Sequence, residues 1–155
     1  MKFIEEKKMR DSFWTKYGYR RNILAFQFEC QARHGGIDLL TIETVHGREN
    51  KQEIQFVSFE FKLDDIQKAL AQAQEDLIYC HKSFIVIPEA KTKIIQDRYM
   101  DYLKKTKFIG VIGVAMDGKW SIIHQPWTQN NEKLIVSQEI LKMLIYSQQK
   151  NAGSK

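Results

Sequence analysis

Glu60 and Lys62 stand two residues apart in the run "VSFEFK". On a β-strand that spacing puts both on one face, with Phe56 and Ser58, while Val57, Phe59 and Phe61 turn to the other. An acid and an amine side by side can bind a cation and orient a water, or they can form an ion pair on a wetted surface. The preceding segment "GGIDLLTIETV" adds Asp38. If the two segments form a hairpin centred on Glu49, the numbers of opposed residues sum to about 98, and Asp38 faces Glu60 with Cβ atoms about 5 Å apart. Two carboxylates at that distance repel unless one is protonated or a cation lies between them. Lys62 offsets part of the repulsion; a hard divalent ion would offset more. The register decides the matter, since a slip of one residue sends Asp38 to the opposite face. An acid–x–lysine pair alone is most often a surface ion pair. The combination with Asp38, and with a glutamine-bearing helix just downstream, carries more information.

These residues need elements to position them. Residues 2–17 read as a helix with Phe3, Met9, Phe13 and Trp14 as an imperfect apolar stripe, closed near Gly18. Leu24, Phe26 and Phe28 alternate with polar neighbours as a strand does. Gly35-Gly36 break the run, "IDLLTIETV" resumes it, "HGRENKQ" is a polar turn, and "EIQFVSFEFKL" is the next strand. Asp64-Asp65 supply a cap for a helix with Ile66, Leu70, Ala73 and Leu77 on its apolar side, and with Lys68, Gln72 and Tyr79 on a separate face. "SFIVIP" reads as a strand buried on both faces. "KTKIIQDRYMDYLKKTK" reads as one further helix, "FIGVIGVAM" and "KWSIIHQP" as a hairpin joined at a DG turn. "NNEKLIVSQEILKMLIYSQQK" reads as a closing helix capped by Asn130 or Asn131, with Leu134, Ile135, Ile140, Leu141 and Leu144 inward. A meander followed by a βα crossover implies an α/β domain with a mixed central sheet flanked by helices.

Of the 155 residues, 43% are apolar and 28% charged, which suits one globular domain, expected over residues 1–150 with a flexible tail at 151–155. The 24 basic against 19 acidic residues give a net charge of +5, a mild surplus compatible with a polyanion partner. Cys30 and Cys80 form no CxxC pair, and no apolar run reaches the roughly 20 residues of a membrane span; a reduced, cytoplasmic protein is the expectation. The four histidines lack metal-ligand spacing. Trp14, Trp120 and Trp127 read as core or rim packing rather than as platforms for bases.

The run "GGID" … "FEFK" … "ALAQA" resembles the PD-(D/E)xK nuclease superfamily, the restriction-endonuclease-like fold, over residues 2–88. That family's core is a mixed sheet flanked by helices in the order αβββαβ, so the strands after residue 88 would be C-terminal additions. The resemblance implies a metal-dependent nuclease acting on DNA, with Mg²⁺, or Mn²⁺ as a substitute. Asp38 and Glu60 would hold the metal with the backbone carbonyl of Phe61, Lys62 would assist the water, and Gln72 would position the phosphate or water. Glu5 or Glu6 would match an additional acid. Ile37 stands where the family name has a proline. Arg33, Lys68, Lys91, Lys93, Arg98, Lys104 and Lys105 would track the nucleic-acid backbone, or line a solvated face. The alternatives are a non-catalytic nucleic-acid-binding or assembly module of the same fold, and a protein-interaction subunit of a defence or mobile-element system. A core this small has little surface for reading a long sequence, so a homodimer or a larger complex is expected to supply the rest.

Overall fold

The computed structural model describes residues 2–153. Six strands form one mixed sheet in chain order: β1 (Ile23–Cys30), β2 (Ile37–His46), β3 (Gln52–Phe61), β4 (Lys82–Pro88), β5 (Ile109–Val114) and β6 (Trp120–His124). The first three are an antiparallel meander, β3, β4 and β5 run parallel, and β6 returns antiparallel. The crossovers are α2 (Ile66–Asp76) between β3 and β4, and the pair α3 (Thr92–Arg98) and α4 (Met100–Thr106) between β4 and β5. Helices α1 (Glu6–Tyr17) and α5 (Gln138–Gly153) open and close the fold. Among the described residues, no helix is long and apolar enough to cross a membrane.

Both faces of the sheet are covered. Met9, Phe13 and Tyr17 of α1 pack on Leu39, Val57, Phe59, Phe61 and Phe84. On the other face, α2, α3 and α4 bring Ala69, Ala73, Ile95 and Leu103 against Ile85, Ile87 and Val111, while Ile140 of α5 seats on Ile37, Leu40 and Ile42. Each fully buried large side chain contributes about 1.5–3 kcal/mol of transfer free energy. The expected alternation in β3 therefore holds, with Val57, Phe59 and Phe61 against α1. Its other face is not wet: Ser58 and Glu60 are fully buried beneath α2.

Several boundaries differ from the sequence reading. The first helix begins at Glu6, not residue 2, because Glu5 is extended and offers no side-chain cap. Phe3 still reaches the core from the segment before it. Gly18 closes that helix in an ordinary helical conformation; a Cβ there would lie 2.6 Å from the Trp14 ring. The single helix expected after Pro88 is kinked at Tyr99 (φ −119°). Ile95 and Leu103 are eight residues apart and, at about 100° per residue, would point some 80° apart on a straight helix; the kink lets both face the core. The closing helix starts at Gln138, not at Asn130 or Asn131, because those residues are committed to a short turn and a polar clip on His81. The later start puts Ile135 and Leu141 outside, 60% and 45% exposed, while Ile140 is buried. Helix α5 runs on to Gly153, past the tail boundary expected at residue 151; residues 154–155 lie outside the described residues.

Candidate active site

Residues Gly36 to Asp38 and Glu60 to Asp64 meet where β3 and β4 end. In parallel α/β sheets this carboxyl edge is where ligands bind, because crossover loops diverge there. Leu39 opposes Phe59 and Leu40 opposes Ser58, the register expected for the hairpin. Asp38 and Glu60 accordingly come together, and each carboxylate is held by the other strand's backbone. The Asp38 amide donates to Glu60 Oε2 (3.3 Å), and the Phe61 amide donates to Asp38 Oδ2 (2.9 Å). It is thus the amide of Phe61 that meets Asp38.

The remaining Glu60 oxygen, Oε1, lies 3.3 Å from Arg33 Nη2. Arg33 is nearly buried and spreads its guanidinium over five acceptors. Nε donates to Asp76 Oδ1 (2.6 Å), Nη1 to Glu75 Oε2 (3.3 Å) and the His34 carbonyl (3.1 Å), and Nη2 also to the Gly36 carbonyl (2.8 Å). It ties the β1–β2 loop, where Gly35 and Gly36 take positive φ angles of 88° and 84°, to α2 and β3. Those angles suit glycine because no Cβ crowds the carbonyl. Arg33 is therefore not a surface residue free to follow a nucleic-acid backbone: its charge is spent on buried carboxylates.

Asp76 is the residue the sequence reading missed. It is fully buried, its Oδ2 has no partner, and it lies close enough to Glu60 for the two carboxyl groups to interact. The signal was present: Asp76 falls seven residues after Ala69 and three after Ala73, inside the buried phase of α2. Burial, then Asp76, then Asp38 push the Glu60 carboxyl up to about 10. Burial raises Asp76 to about 6, against the pull of Arg33. The 2.6 Å Arg33–Asp76 contact against 3.3 Å to Glu60 marks Asp76 as the ionised partner and Glu60 as the proton holder.

Lys62 lies one residue beyond β3, its amide still bonded to the Val86 carbonyl (3.1 Å). Its ammonium is 3.7 Å from Glu6 Oε2 in the first turn of α1, which the long stem reaches from just past the end of the strand. Of the two acids left open, Glu6 is thus the one at Lys62, while Glu5 precedes the helix as its N-cap residue. Gln72 is half-buried with Oε1 buried and unpartnered, Lys68 is exposed with its amide capped by Asp65 (3.0 Å), and Tyr79 falls beyond the helix and packs on the α5 side; these three do not form one face.

The other basic residues divide by location. Lys91, paired with Asp64 at 3.0 Å, and exposed Lys93 follow β4 at the carboxyl edge. Exposed Lys104 and Lys105 precede β5, whose first residue pairs with the start of β4, so they stand at the opposite edge; exposed Arg98 lies between. Trp14 and Trp120 pack against the core as expected, but Trp127 is 74% exposed.

Among the described residues, no three His, Cys, Asp or Glu side chains are grouped to hold a metal ion. The pair that could hold a hard cation is Asp38 and Glu60: oxygen donors in a region with more carboxylates than cations. Comparison of the chain with family models, with curated proteins and with solved structures finds no match.

Proposed function

We propose that the chain is a metal-dependent nuclease that hydrolyses phosphodiester bonds in DNA, built on a restriction-endonuclease-like core. The carrying observation is the cross-bonded pair of half-buried Asp38 and buried Glu60 at the carboxyl edge of the sheet, with Lys62 next after the strand. The element order from α1 to β4 is the αβββαβ order of that core. The donors fit Mg²⁺ or Mn²⁺, and the proton that burial and neighbouring acids keep on Glu60 marks a site with surplus negative charge. Asp38 and Glu60 hold the ion, with the Phe61 carbonyl as a further ligand. A bound divalent ion supplies charge neutralisation at the phosphate and a more acidic water. Lys62 orients the water and offsets phosphate charge, Glu6 aims the ammonium, and Gln72 positions water through its unpaired Oε1 or phosphate through its amide N–H groups. Two buried free thiols suit a cytoplasmic setting.

The test is cleavage of supercoiled, linear and branched DNA with Mg²⁺ or Mn²⁺ by the wild type and by Asp38→Ala, Glu60→Ala and Lys62→Ala. Activity confined to the wild type supports the reading; equal activity in all four removes the mechanism. One observation favours a second reading, a non-catalytic DNA-binding module: Glu60 is engaged by Arg33 and Lys62 by Glu6. That module binds DNA with steep salt dependence and cleaves nothing under either metal.

A further inference from the structure

A cleft of about 340 Å³ opens at the same carboxyl edge as the acids. Its size is at the lower end of small-ligand sites. It starts one residue past Lys62, with Leu63, and takes Phe3 from the segment leading to Glu6, the partner of Lys62. Val114 and Met116, from the end of β5, complete an apolar lining, with the Lys91–Asp64 ion pair at the rim. The rim charges cancel: Lys2 and Lys91 stand against Asp64 and Glu89. A phosphate would not choose such a rim. A flat, neutral group whose edge both donates and accepts hydrogen bonds would.

We propose that this cleft receives an unpaired nucleobase adjoining the scissile phosphate. This rests on the nuclease reading and narrows its substrate: DNA with an overhang, flap or mismatch rather than fully paired duplex. A base stacked within a duplex presents only its edge, so a concave apolar site takes a base already free or cheaply extruded. Lys62 then faces the phosphate while the neighbouring base is buried against Phe3 and Leu63, where stacking does not depend on sequence.

Oligonucleotides carrying 2-aminopurine, a fluorescent adenine analogue, at successive positions of a single-stranded overhang report on the cleft directly. Binding is measured in chelator, without cleavage, for the wild type and for Ala90→Leu and Ala115→Leu, which fill the cleft with side chains that cannot stack. The expected result is a fluorescence change at one or two positions with the wild type, reduced at least fivefold in both variants. Cleavage is then compared on overhang and blunt duplex, with Lys62→Ala as control; a tenfold preference for the overhang, lost in the filled variants, is expected. No position-specific signal, or one that both filled variants keep, overturns the cleft. Equal cleavage of paired and unpaired DNA overturns it too, and leaves the nuclease standing. A position-specific signal lost on filling, with wild-type cleavage no different from Lys62→Ala, keeps the cleft as a base site and overturns the nuclease.

Discussion

Arg33 and Glu60 together set what this edge of the sheet can do. Arg33 is the compensating cation for the buried Asp76 carboxylate and also donates to the buried, protonated Glu60. Removing one partner of a buried charge cluster leaves the others unsolvated, which costs about 3–5 kcal/mol. Arg33→Ala should lower the urea midpoint accordingly, and Arg33→Lys should recover only part of it, because an ammonium cannot serve acceptors on three sides. An unchanged midpoint would show that the cluster adds no stability. Glu60 makes a separate prediction. Its carboxyl is raised from the ordinary range near 4.5 to about 10, so between those values the folded chain holds a proton that the unfolded chain releases. That contribution is complete below about 4.5 and is lost as pH rises toward 10. In chelator, wild-type stability should therefore fall from pH 5 to pH 9 more steeply than that of Glu60→Gln, whose amide carries no such proton. Parallel curves would place the proton elsewhere.

The elements were legible where one local rule decided them and obscure where two competed. Alternation in "VSFEFK", the glycine break before Asp38 and the polar turn near Glu49 fixed the hairpin register, and with it the opposition of Asp38 and Glu60. Asp65 was legible as a cap for the same reason: a short acid before an apolar period has one good use. The partner of Lys62 was not legible, because it lies one residue past the strand and its flexible stem reaches Glu6, an acid on α1 that no local pattern pairs with it. Arg33 and Asp76 lie 43 residues apart in sequence, so no local pattern pairs them. Asn131 looked like a helix cap, yet its side chain meets His81, whose other ring nitrogen accepts from the Phe56 amide (2.8 Å). Gln129 adds bonds to the carbonyls of Leu77 (2.5 Å) and Cys80 (2.6 Å), so the whole segment before α5 is clipped to the α2–β4 loop. Burial pushes the His81 imidazole down and keeps it neutral, which its role as acceptor requires. His81→Ala should cost about 1–3 kcal/mol by leaving the Phe56 amide unpaired. It should also speed hydrogen exchange at that amide and open residues 125–137 to protease. Protection equal to the wild type would mean that Gln129 alone holds the segment.

On the scale of the whole molecule, a net charge of +5 matters less than where its free cations stand. Arg33 is enclosed and Lys91 is paired with Asp64, which leaves Lys68 exposed on α2, and Lys93, Arg98, Lys104 and Lys105 exposed along α3 and α4 from the acidic edge to the far one. On the proposed function, a strand of DNA whose phosphate reaches Lys62 would pass Lys93 at the same edge first, and would meet Lys104 and Lys105 only by continuing along both helices. Each phosphate contact adds about 0.9 to the slope of log affinity against log salt on duplex DNA, and about 0.7 on a single strand. Lys93→Glu should therefore weaken binding of even a short overhang substrate and flatten its salt dependence by about one contact. The double change Lys104→Glu and Lys105→Glu should act only on substrates long enough to cover both helices. Affinity measured from 50 to 300 mM salt on a short and a long substrate separates the two. If the double change weakens the short substrate as much as Lys93→Glu does, the path along α3 and α4 is wrong, and the nucleic acid crosses the sheet edge in another direction.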